Sequence, residues 1–353
     1  MTTFPQSASF TVTNHCNLRC QMCGQWSPEG YVRGDTARLD HEMGTAEWKR
    51  VVDELADHGV HDVLLRGGET FMFPGIVELL EHIHARGMAI SIDTNGTMLA
   101  RYADDIARIG GMHLTISVDG PEAIHDEVRG VEGTFRRLKD GIEQVHAAQA
   151  RTGNRVGTSI CFTISRYNYR YLGSMPEIAR SLGIGSIAIV PYYYFPAATG
   201  ARYAAQLEGL GCKAFSWIGF HHEESGVEPD EFIRQLRLYK ANLGDVESYP
   251  YMPLTEDEYL AWFAGPESQV GPRRCLNVEQ LIDIQPDGST NFCVDFVDYS
   301  FGNVRTSSVA DLWSDEAAEK FRAFRREQPL AACYRCGAKF MSTRWADYAA
   351  NPA

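Results

Sequence analysis

Short apolar runs alternate with longer amphipathic segments over the first two-thirds of the chain. Runs such as "MHLTIS" and "SICFTI" predict strands, and a segment of helical period follows each of them. Six strand-then-helix units predict parallel pairing, because parallel neighbours need a long connection between them. Right-handed crossovers can curl these units into an open barrel that binds ligands at the carboxyl ends of its strands. We therefore predict an α/β fold, with a partial (β/α)6 TIM-like barrel over residues 1–196.

The pattern changes after residue 196. Residues 197–274 are rich in aromatic residues and turn formers, with one clear helical pattern in "EPDEFIRQLRLYKANLG", and they predict a connecting segment or a wall of the site. From residue 275 the alternating "LIDIQPDGSTNFC" predicts a hairpin, since Pro-Asp-Gly favours a turn, and a long amphipathic pattern follows it. Residues 275–353 thus predict a small α+β domain, a hairpin plus a helix. A domain of this size needs disulfides or a bound metal for stability, and its cysteines can supply the ligands.

The composition of the chain argues against membrane and nucleic-acid partners and favours metal or redox chemistry. The chain has 353 residues, of which 44% are hydrophobic and 22% are charged, as in soluble globular proteins. It has no export signal and no apolar run long enough to span a membrane, so we expect a cytoplasmic protein without a membrane partner. A formal net charge of −13 repels phosphate backbones and argues against nucleic acid as a partner. In a reducing compartment, nine cysteines favour metal or redox chemistry over disulfides.

Three of these cysteines follow the first predicted strand. Cys16, Cys20 and Cys23 lie in the stretch "TNHCNLRCQMCGQW". Three thiolates on one loop can each bind one iron of a cubane cluster and leave the fourth iron without a protein ligand. A zinc site that uses the adjacent His15 as its fourth ligand is the alternative.

The sequence resembles the radical S-adenosylmethionine (SAM) enzymes. The resemblance begins with Cys16-x3-Cys20-x2-Cys23, in which the apolar Met22 precedes the third cysteine. It continues with "RGGE", "DTNGT" and "SVDGPEAIHDEVRG", each at the end of a predicted strand.

The C-terminal cysteines resemble the auxiliary-cluster module called SPASM, or twitch in its shortened form. Cys275, Gly288 and Cys293 have its spacing, and Cys333-x2-Cys336 follows. The full module has three more cysteines after this pair, and here there are none. The resemblance therefore implies one auxiliary cluster with four thiolate ligands. From the residues alone, a structural zinc with the same ligands is an equal alternative.

The resemblance implies SAM, a [4Fe-4S] cluster on the first three cysteines and an auxiliary [4Fe-4S] cluster on the last four. It implies reductive cleavage of SAM to a 5′-deoxyadenosyl radical, hydrogen abstraction from the substrate, and a flavodoxin- or ferredoxin-type reductant. Gly67, Gly68 and Glu69 would meet the SAM amino group, or only form a strand-to-helix turn. Arg129 would pair with the SAM carboxylate, or lie exposed to solvent. Ser117 and Asp119 would reach the ribose or the carboxylate, and Asp93 and Asn95 alternatively only shape a turn. The expected cofactor-binding residues are Met22, Gly67, Gly68, Glu69, Asp93, Asn95, Ser117, Asp119 and Arg129.

Four residues are candidates for catalysis. Cys212 lies in the irregular segment and would donate a hydrogen atom to a substrate radical, with an inert loop thiol as the alternative. Cys161 is a second candidate donor or a small buried hydrophobe. His221 is a candidate base or surface histidine. Asp295 would approach the substrate from the auxiliary side, or only turn the chain.

The resemblance favours a small polar substrate such as a sugar or aminocyclitol, oxidised or epimerised at a carbinol carbon in an antibiotic or other natural-product pathway. The alternative is a maturase that modifies a peptide or protein. Many peptide modifiers add an N-terminal leader-binding domain, and the first cysteine here is already residue 16, which favours the small substrate. A noncatalytic metal-stapled binding protein is the second alternative.

Overall fold

One mixed sheet organises the protein. The computed structural model describes residues 4–249, 252–272 and 274–340, and within them nine strands form this sheet. The strands are β1 (Ser7–Thr11), β2 (Asp62–Arg66), β3 (Ala89–Thr94), β4 (Met112–Ser117), β5 (Val156–Ile164), β6 (Ser186–Pro191), β7 (Glu247–Tyr249), β8 (Leu281–Ile284) and β9 (Thr290–Asn291).

The sheet order is β7-β6-β5-β4-β3-β2-β1-β8-β9. All neighbours are parallel except β8 and β9, which form the antiparallel hairpin. The α/β fold with six parallel strand–helix units is confirmed. The C-terminal hairpin also joins the barrel sheet, because β8 pairs with β1 (Ser9 opposite Asp283).

The helices arise from the amphipathic segments and cover the sheet. Helix α2, for example, buries Trp48, Val51 and Leu55 against it and leaves its polar residues outside. The α-helices are α1 (Tyr31–Gly34), α2 (Thr45–Asp57), α3 (Ile76–Ala85), α4 (Leu99–Ile109), α5 (Glu122–Arg129), α6 (Thr134–Thr152), α7 (Met175–Ser181), α8 (Ala197–Leu210), α9 (Pro229–Asn242), α10 (Glu256–Ala264), α11 (Asn277–Gln280), α12 (Val309–Ser314) and α13 (Glu316–Glu327). No helix among the described residues is long and apolar enough to cross a bilayer.

Two helical regions differ from the expectation. The segment 197–274 contains α8 and α10 in addition to the one helix foreseen, α9. The long amphipathic pattern near the C-terminus divides at Asp315, whose extended backbone and side chain cap α13 by accepting a hydrogen bond from the Ala317 amide at 2.7 Å. Of the expected domain 275–353, residues 341–353 lie outside the described part of the chain.

The two faces of the sheet differ in polarity. The face that packs against the helices carries buried apolar residues such as Phe10, Leu65, Ile92 and Phe162. The register places polar residues on the opposite, inward face of the barrel. This inward face includes Ser9, Thr11, Arg66, Ser91, Asp93, Thr115, Ser117, Ser159, Cys161 and Thr163. A polar interior is suited to a polar ligand rather than to a packed hydrophobic core.

Candidate active site

The three-thiol loop follows β1 and rests on the end of α5. Cys16 and Cys23 are half-buried and Cys20 is 8% exposed. The Arg19 amide donates to the carbonyl of Arg129 at 3.0 Å, which ties the loop to the last residue of α5. The predicted position of the three cysteines, after the first strand at the barrel rim, agrees with this structure.

Two thiols of the loop accept hydrogen bonds from nearby backbone amides. The Leu18 amide donates to Cys16 Sγ and the Trp26 amide donates to Cys23 Sγ, each at 3.4 Å. Burial raises the pKa of both thiols in the apoprotein, although these amides lower it. Donors of this kind favour the thiolate form that an iron–sulfur cluster requires.

Arg129 is buried beside the third thiol. Its Nε donates to Asp119 Oδ2 at 2.6 Å, and its Nη1 lies 3.6 Å from Cys20 Sγ. Burial raises the pKa of Cys20 to about 11, with Arg129 opposing the shift. Arg129 and Asp119, both expected at the cofactor, thus form a buried ion pair that touches a cluster ligand.

The two glycines of "RGGE" let the second strand end directly against the three-thiol loop. A Cβ atom on Gly67 would lie 2.6 Å from the Thr13 carbonyl oxygen, and one on Gly68 would lie 2.3 Å from that of His15. The Gly68 amide donates to Thr13 at 2.8 Å. The close approach that requires glycine here is to the protein's own backbone, whereas the sequence argument attributed it to the cofactor.

Glu69 links the second and third strand ends. Its carboxylate is buried and accepts hydrogen bonds from Thr94 Oγ1 and the Asn95 amide, both at 2.7 Å, and from the Phe71 amide at 3.1 Å. Asn95 Nδ2 in turn donates to Asn17 Oδ1 in the three-thiol loop at 2.9 Å. Glu69 and Asn95 therefore hold the loops around the cysteines in one arrangement.

A small charged network lies on the inward face of the barrel. Arg66 Nη2 lies 3.2 Å from Asp295 Oδ1, and Tyr193 Oη donates to Asp295 Oδ2 at 3.0 Å. Asp93 and Arg66 each come one residue after the last printed pair of β2 and β3, Leu65 and Ile92. The Asp93 side chain is exposed in the open interior of the barrel, called the hollow below. Burial raises the pKa of Asp93 to about 6, with Arg66 opposing the shift and Asp295 adding to it. This network joins the barrel to the segment that follows Cys293.

Ser117 and Cys161 also lie in the hollow. They are paired residues on β4 and β5, and both side chains are half-buried. Burial raises the pKa of Cys161 to about 12, and Asp93 and Asp119 raise it further. Met22 is partly buried and packs against the hydrophobic core.

The structure places Cys212 and His221 away from this network. The Cys212 thiol donates to the Leu207 carbonyl at 3.4 Å, at the end of α8. His221 forms a partly exposed pair with Glu223 at 3.1 Å and Glu29 at 3.6 Å. Of the two candidate donor cysteines, Cys161 is therefore the one inside the barrel.

Sequence reasoning assigned no role to Arg66 or Tyr193. Tyr193 links the end of β6 to two segments of the four-thiol region, because its hydroxyl donates to Asp295 and also accepts a hydrogen bond from the Gly337 amide at 3.0 Å, one residue after Cys336. The inward parity of Arg66, three residues before Glu69, was an available signal for its position. Tyr193 had no comparable signal within its aromatic run.

The last four cysteines surround one cavity. Asn277, Val278, Phe292, Phe296, Leu330, Ala332 and Ala338 complete the lining with Arg325 and Lys339, around Cys275, Cys293, Cys333 and Cys336. Burial raises the pKa of Cys275, Cys293 and Cys336 in the apoprotein.

The thiols have two candidate occupants, zinc and an iron–sulfur cluster. Among the described residues, no group of three or more Cys, His, Asp or Glu side chains is arranged to hold a single metal ion. Zinc requires ligands that converge to about 2.3 Å from one centre, whereas the four thiols around a cavity suit the larger body of an iron–sulfur cluster. His15, the expected fourth zinc ligand of the first site, has an exposed side chain. The four thiols around the cavity therefore fit the body of a cluster.

Family models match both regions that carry the thiols. The model of the radical SAM superfamily matches residues 10–169, and the SPASM model, an iron–sulfur cluster-binding domain, matches residues 275–337. The chain belongs to the radical SAM superfamily. Its radical SAM region contains the three-thiol loop, and its SPASM region contains all four cysteines around the cavity, Cys275, Cys293, Cys333 and Cys336.

Similar proteins align with nearly the whole length of this chain. The Fe-coproporphyrin III synthase of Methanosarcina barkeri is 25% identical over 93% of this chain and 79% of its own length. The PqqA peptide cyclase of Rhodopseudomonas palustris is 26% identical over the same shares, 93% and 79%. The structure of SuiB from Streptococcus suis bound to its precursor peptide SuiA is 13% identical, with a TM-score of 0.63 over 96% of this chain and 71% of SuiB.

Family membership establishes the cofactors: SAM, a [4Fe-4S] cluster and an auxiliary iron–sulfur cluster. Cys16, Cys20 and Cys23 would hold the first cluster, and the four cysteines around the cavity would hold the auxiliary one. When bound, the first cluster and SAM supply a radical that takes a hydrogen atom from the substrate. The protein's own contribution is to hold the loops through Glu69 and Arg129 and to surround the reacting groups.

Proposed function

We propose that this radical SAM enzyme modifies a peptide or protein. The PqqA peptide cyclase is similar along nearly the whole chain, and SuiB, whose structure holds a precursor peptide, has the same fold. The proteins reported above include no enzyme named for a sugar or an aminocyclitol. The peptide maturase, which was the alternative from the sequence, is therefore preferred to the carbohydrate-like substrate.

The charge of the barrel's inward face carries the proposal. Arg66 is the one Arg or Lys among the inward strand residues that the structure describes, and Asp93, Asp283 and Asp295 surround it. These carboxylates exceed the single cation, so the hollow favours a neutral or cationic group. Peptide side chains provide such groups.

A porphyrin is the second candidate substrate, because the Fe-coproporphyrin III synthase is also similar over most of the chain. Porphyrins of this type bear several carboxylates, which would meet Asp93 and Asp295 with only Arg66 to balance them. Like charges in a site of low dielectric repel strongly. The inward face thus supports the peptide over the porphyrin.

The proposed residue roles follow the geometry. Gly67, Gly68, Glu69, Asn95, Ser117, Asp119 and Arg129 would shape the SAM site from the strand ends. Asp295, held by Arg66 and Tyr193, would act on the substrate from the auxiliary side, and Cys161 would face it from β5. A flavodoxin- or ferredoxin-type protein would supply electrons.

The test is anaerobic turnover with SAM and reductant. The substrates are synthetic peptides whose sequences are encoded by short reading frames beside the gene and, separately, tetrapyrrole precursors of Fe-coproporphyrin III, the porphyrin that the similar synthase is named for making. We expect 5′-deoxyadenosine together with a changed mass of one peptide. Conversion of a tetrapyrrole precursor with no peptide modified would contradict the proposal.

A pair of variants tests whether the negative charge inside the barrel matters for peptide turnover. Asp93→Asn removes a carboxylate inside the barrel, and Asp105→Asn removes an exposed one that pairs with Arg108 on the surface. We expect slower peptide turnover only in Asp93→Asn. Equal turnover in the two variants would show that the Asp93 charge does not contribute to peptide binding or turnover.

A further inference from the structure

Two buried cations line the four-thiol cavity. Lys339 is 3% exposed and Arg325 is 8% exposed, and they are the charged side chains in its lining apart from the cysteines. Neither forms an ion pair with a carboxylate in the described part of the chain. Among residues 4–249, 252–272 and 274–340, no carboxylate compensates either positive charge.

Backbone carbonyl groups hold the two cations in place. Lys339 Nζ donates to the Val270 carbonyl at 2.6 Å and to the Cys333 carbonyl at 3.2 Å. Arg325 Nη1 donates to the Gln328 carbonyl at 2.8 Å. Carbonyl groups satisfy the N–H donors and fix their positions, but they do not neutralise the charge.

A buried charge without a partner is costly, and the cost falls when an opposite charge lies nearby. A cluster with four thiolates is an anion, and one-electron reduction makes it more negative. A fixed cation beside it therefore stabilises the reduced form more than the oxidised form. The reduction potential of an iron–sulfur cluster depends on charge, hydrogen bonding and solvent exposure in this way.

We infer that Lys339 and Arg325 set the potential of the auxiliary cluster, making it easier to reduce than the four cysteines alone would. The two are positioning residues that act on the cluster through their charge. This inference goes beyond the proposed function, since it concerns the cluster and is the same for a peptide or a porphyrin substrate.

The first site shows a different use of a cation. Arg129 also approaches a cysteine sulfur, but Asp119 pairs with it at 2.6 Å and offsets its charge. We therefore expect cation removal to change the potential at the four-thiol cavity, where none of the carboxylates that the structure describes pairs with Lys339 or Arg325.

The experiment is a redox titration of the auxiliary cluster, monitored by electron paramagnetic resonance. The full chain carries Cys16→Ala, Cys20→Ala and Cys23→Ala, so that the auxiliary cluster alone gives the signal. Lys339→Met in this background should lower the ratio of reduced to oxidised cluster at fixed potential about tenfold, which is about 59 mV for one electron. Adding Arg325→Gln should lower the ratio further.

Two control variants separate charge from structure. Lys339→Arg keeps the charge and should keep the potential close to that of the parent. Lys320→Met removes an exposed lysine that also donates to a carbonyl, that of Leu210 at 3.0 Å, and should leave the potential unchanged.

An unchanged potential in Lys339→Met with its full iron content would overturn the inference. If Lys339→Met takes up no iron, Arg325→Gln alone provides the measurement, and a lowered potential there supports the inference. Loss of iron from both variants would also overturn it, because the two residues would then be structural.

Discussion

The two thiol sites use the same ligand atom in different surroundings. The first has three cysteines on a loop, and its neighbouring cation, Arg129, is paired with Asp119. The second has four cysteines around a cavity, and the cations in its lining, Arg325 and Lys339, are held by carbonyl groups. If these thiols hold the two clusters, the first site would leave one iron free for SAM, whereas four thiols would close the second. We propose that the first site carries out the chemistry and that the second transfers electrons.

The largest effect should come from the three-thiol loop. Cys20→Ala removes one of its ligands, so we expect no SAM cleavage and a loss of roughly half of the iron, because one of two clusters is lost. Anaerobic assay of 5′-deoxyadenosine and iron analysis check both points. SAM cleavage at the parent rate would show that the chemistry is elsewhere.

A ligand change at the four-thiol cavity should spare SAM cleavage but abolish product formation. Cys293→Ala removes an auxiliary ligand, and we expect SAM cleavage to persist while modified substrate is lost. The assays of 5′-deoxyadenosine and iron measure SAM cleavage and cluster content, and mass spectrometry measures the modified product. Equal loss of SAM cleavage in Cys20→Ala and Cys293→Ala would remove the functional difference between the sites.

The paired cation should matter for stability. Asp119→Asn leaves Arg129 buried without its anion, and breaking such a pair costs about 3–5 kcal/mol. Urea denaturation under anaerobic conditions measures the loss. The control is Glu122→Gln, which breaks the exposed pair with Arg136 and should lower the free energy of unfolding far less, because water screens an exposed pair. Equal losses would mean that burial of the first pair has no special effect.

A smaller effect is expected where the second strand meets the loop. Gly68→Ala places a methyl group against the His15 carbonyl and should cost about 1–3 kcal/mol, with reduced iron uptake at the first site. Gly209→Ala is the matched control, because this glycine lies in α8 with open space around its Cβ position. We expect that change to stabilise the protein by about 0.5–1 kcal/mol. Similar stability and iron uptake in the two variants would contradict the close contact between Gly68 and the His15 carbonyl.

Local patterns made the barrel and the thiol sets predictable. Strand period and helix period identify the six units, and cysteine spacing identifies Cys16 and its two neighbours. Helix α8 was missed because glycines weaken its helical pattern. The structure gives one of them, Gly200, a tertiary reason, since a Cβ atom there would meet the Trp217 ring at 2.2 Å.

Contacts between distant segments were not predictable. Arg66 and Asp295 are 229 residues apart, and no local pattern indicates that they pair. The same holds for Lys339, whose charge gains meaning only from the cavity that it lines. The sequence identified the thiols of both sites, and the fold showed the charges around them.

The most direct test of the central claim is the effect of SAM on the spectra of the two clusters. One variant of the full chain keeps only Cys16, Cys20 and Cys23 as cluster ligands, and the other keeps only Cys275, Cys293, Cys333 and Cys336. We predict that SAM changes the electron paramagnetic resonance spectrum of the reduced cluster in the first variant and has no effect in the second. A SAM-dependent change only in the second variant would contradict the account.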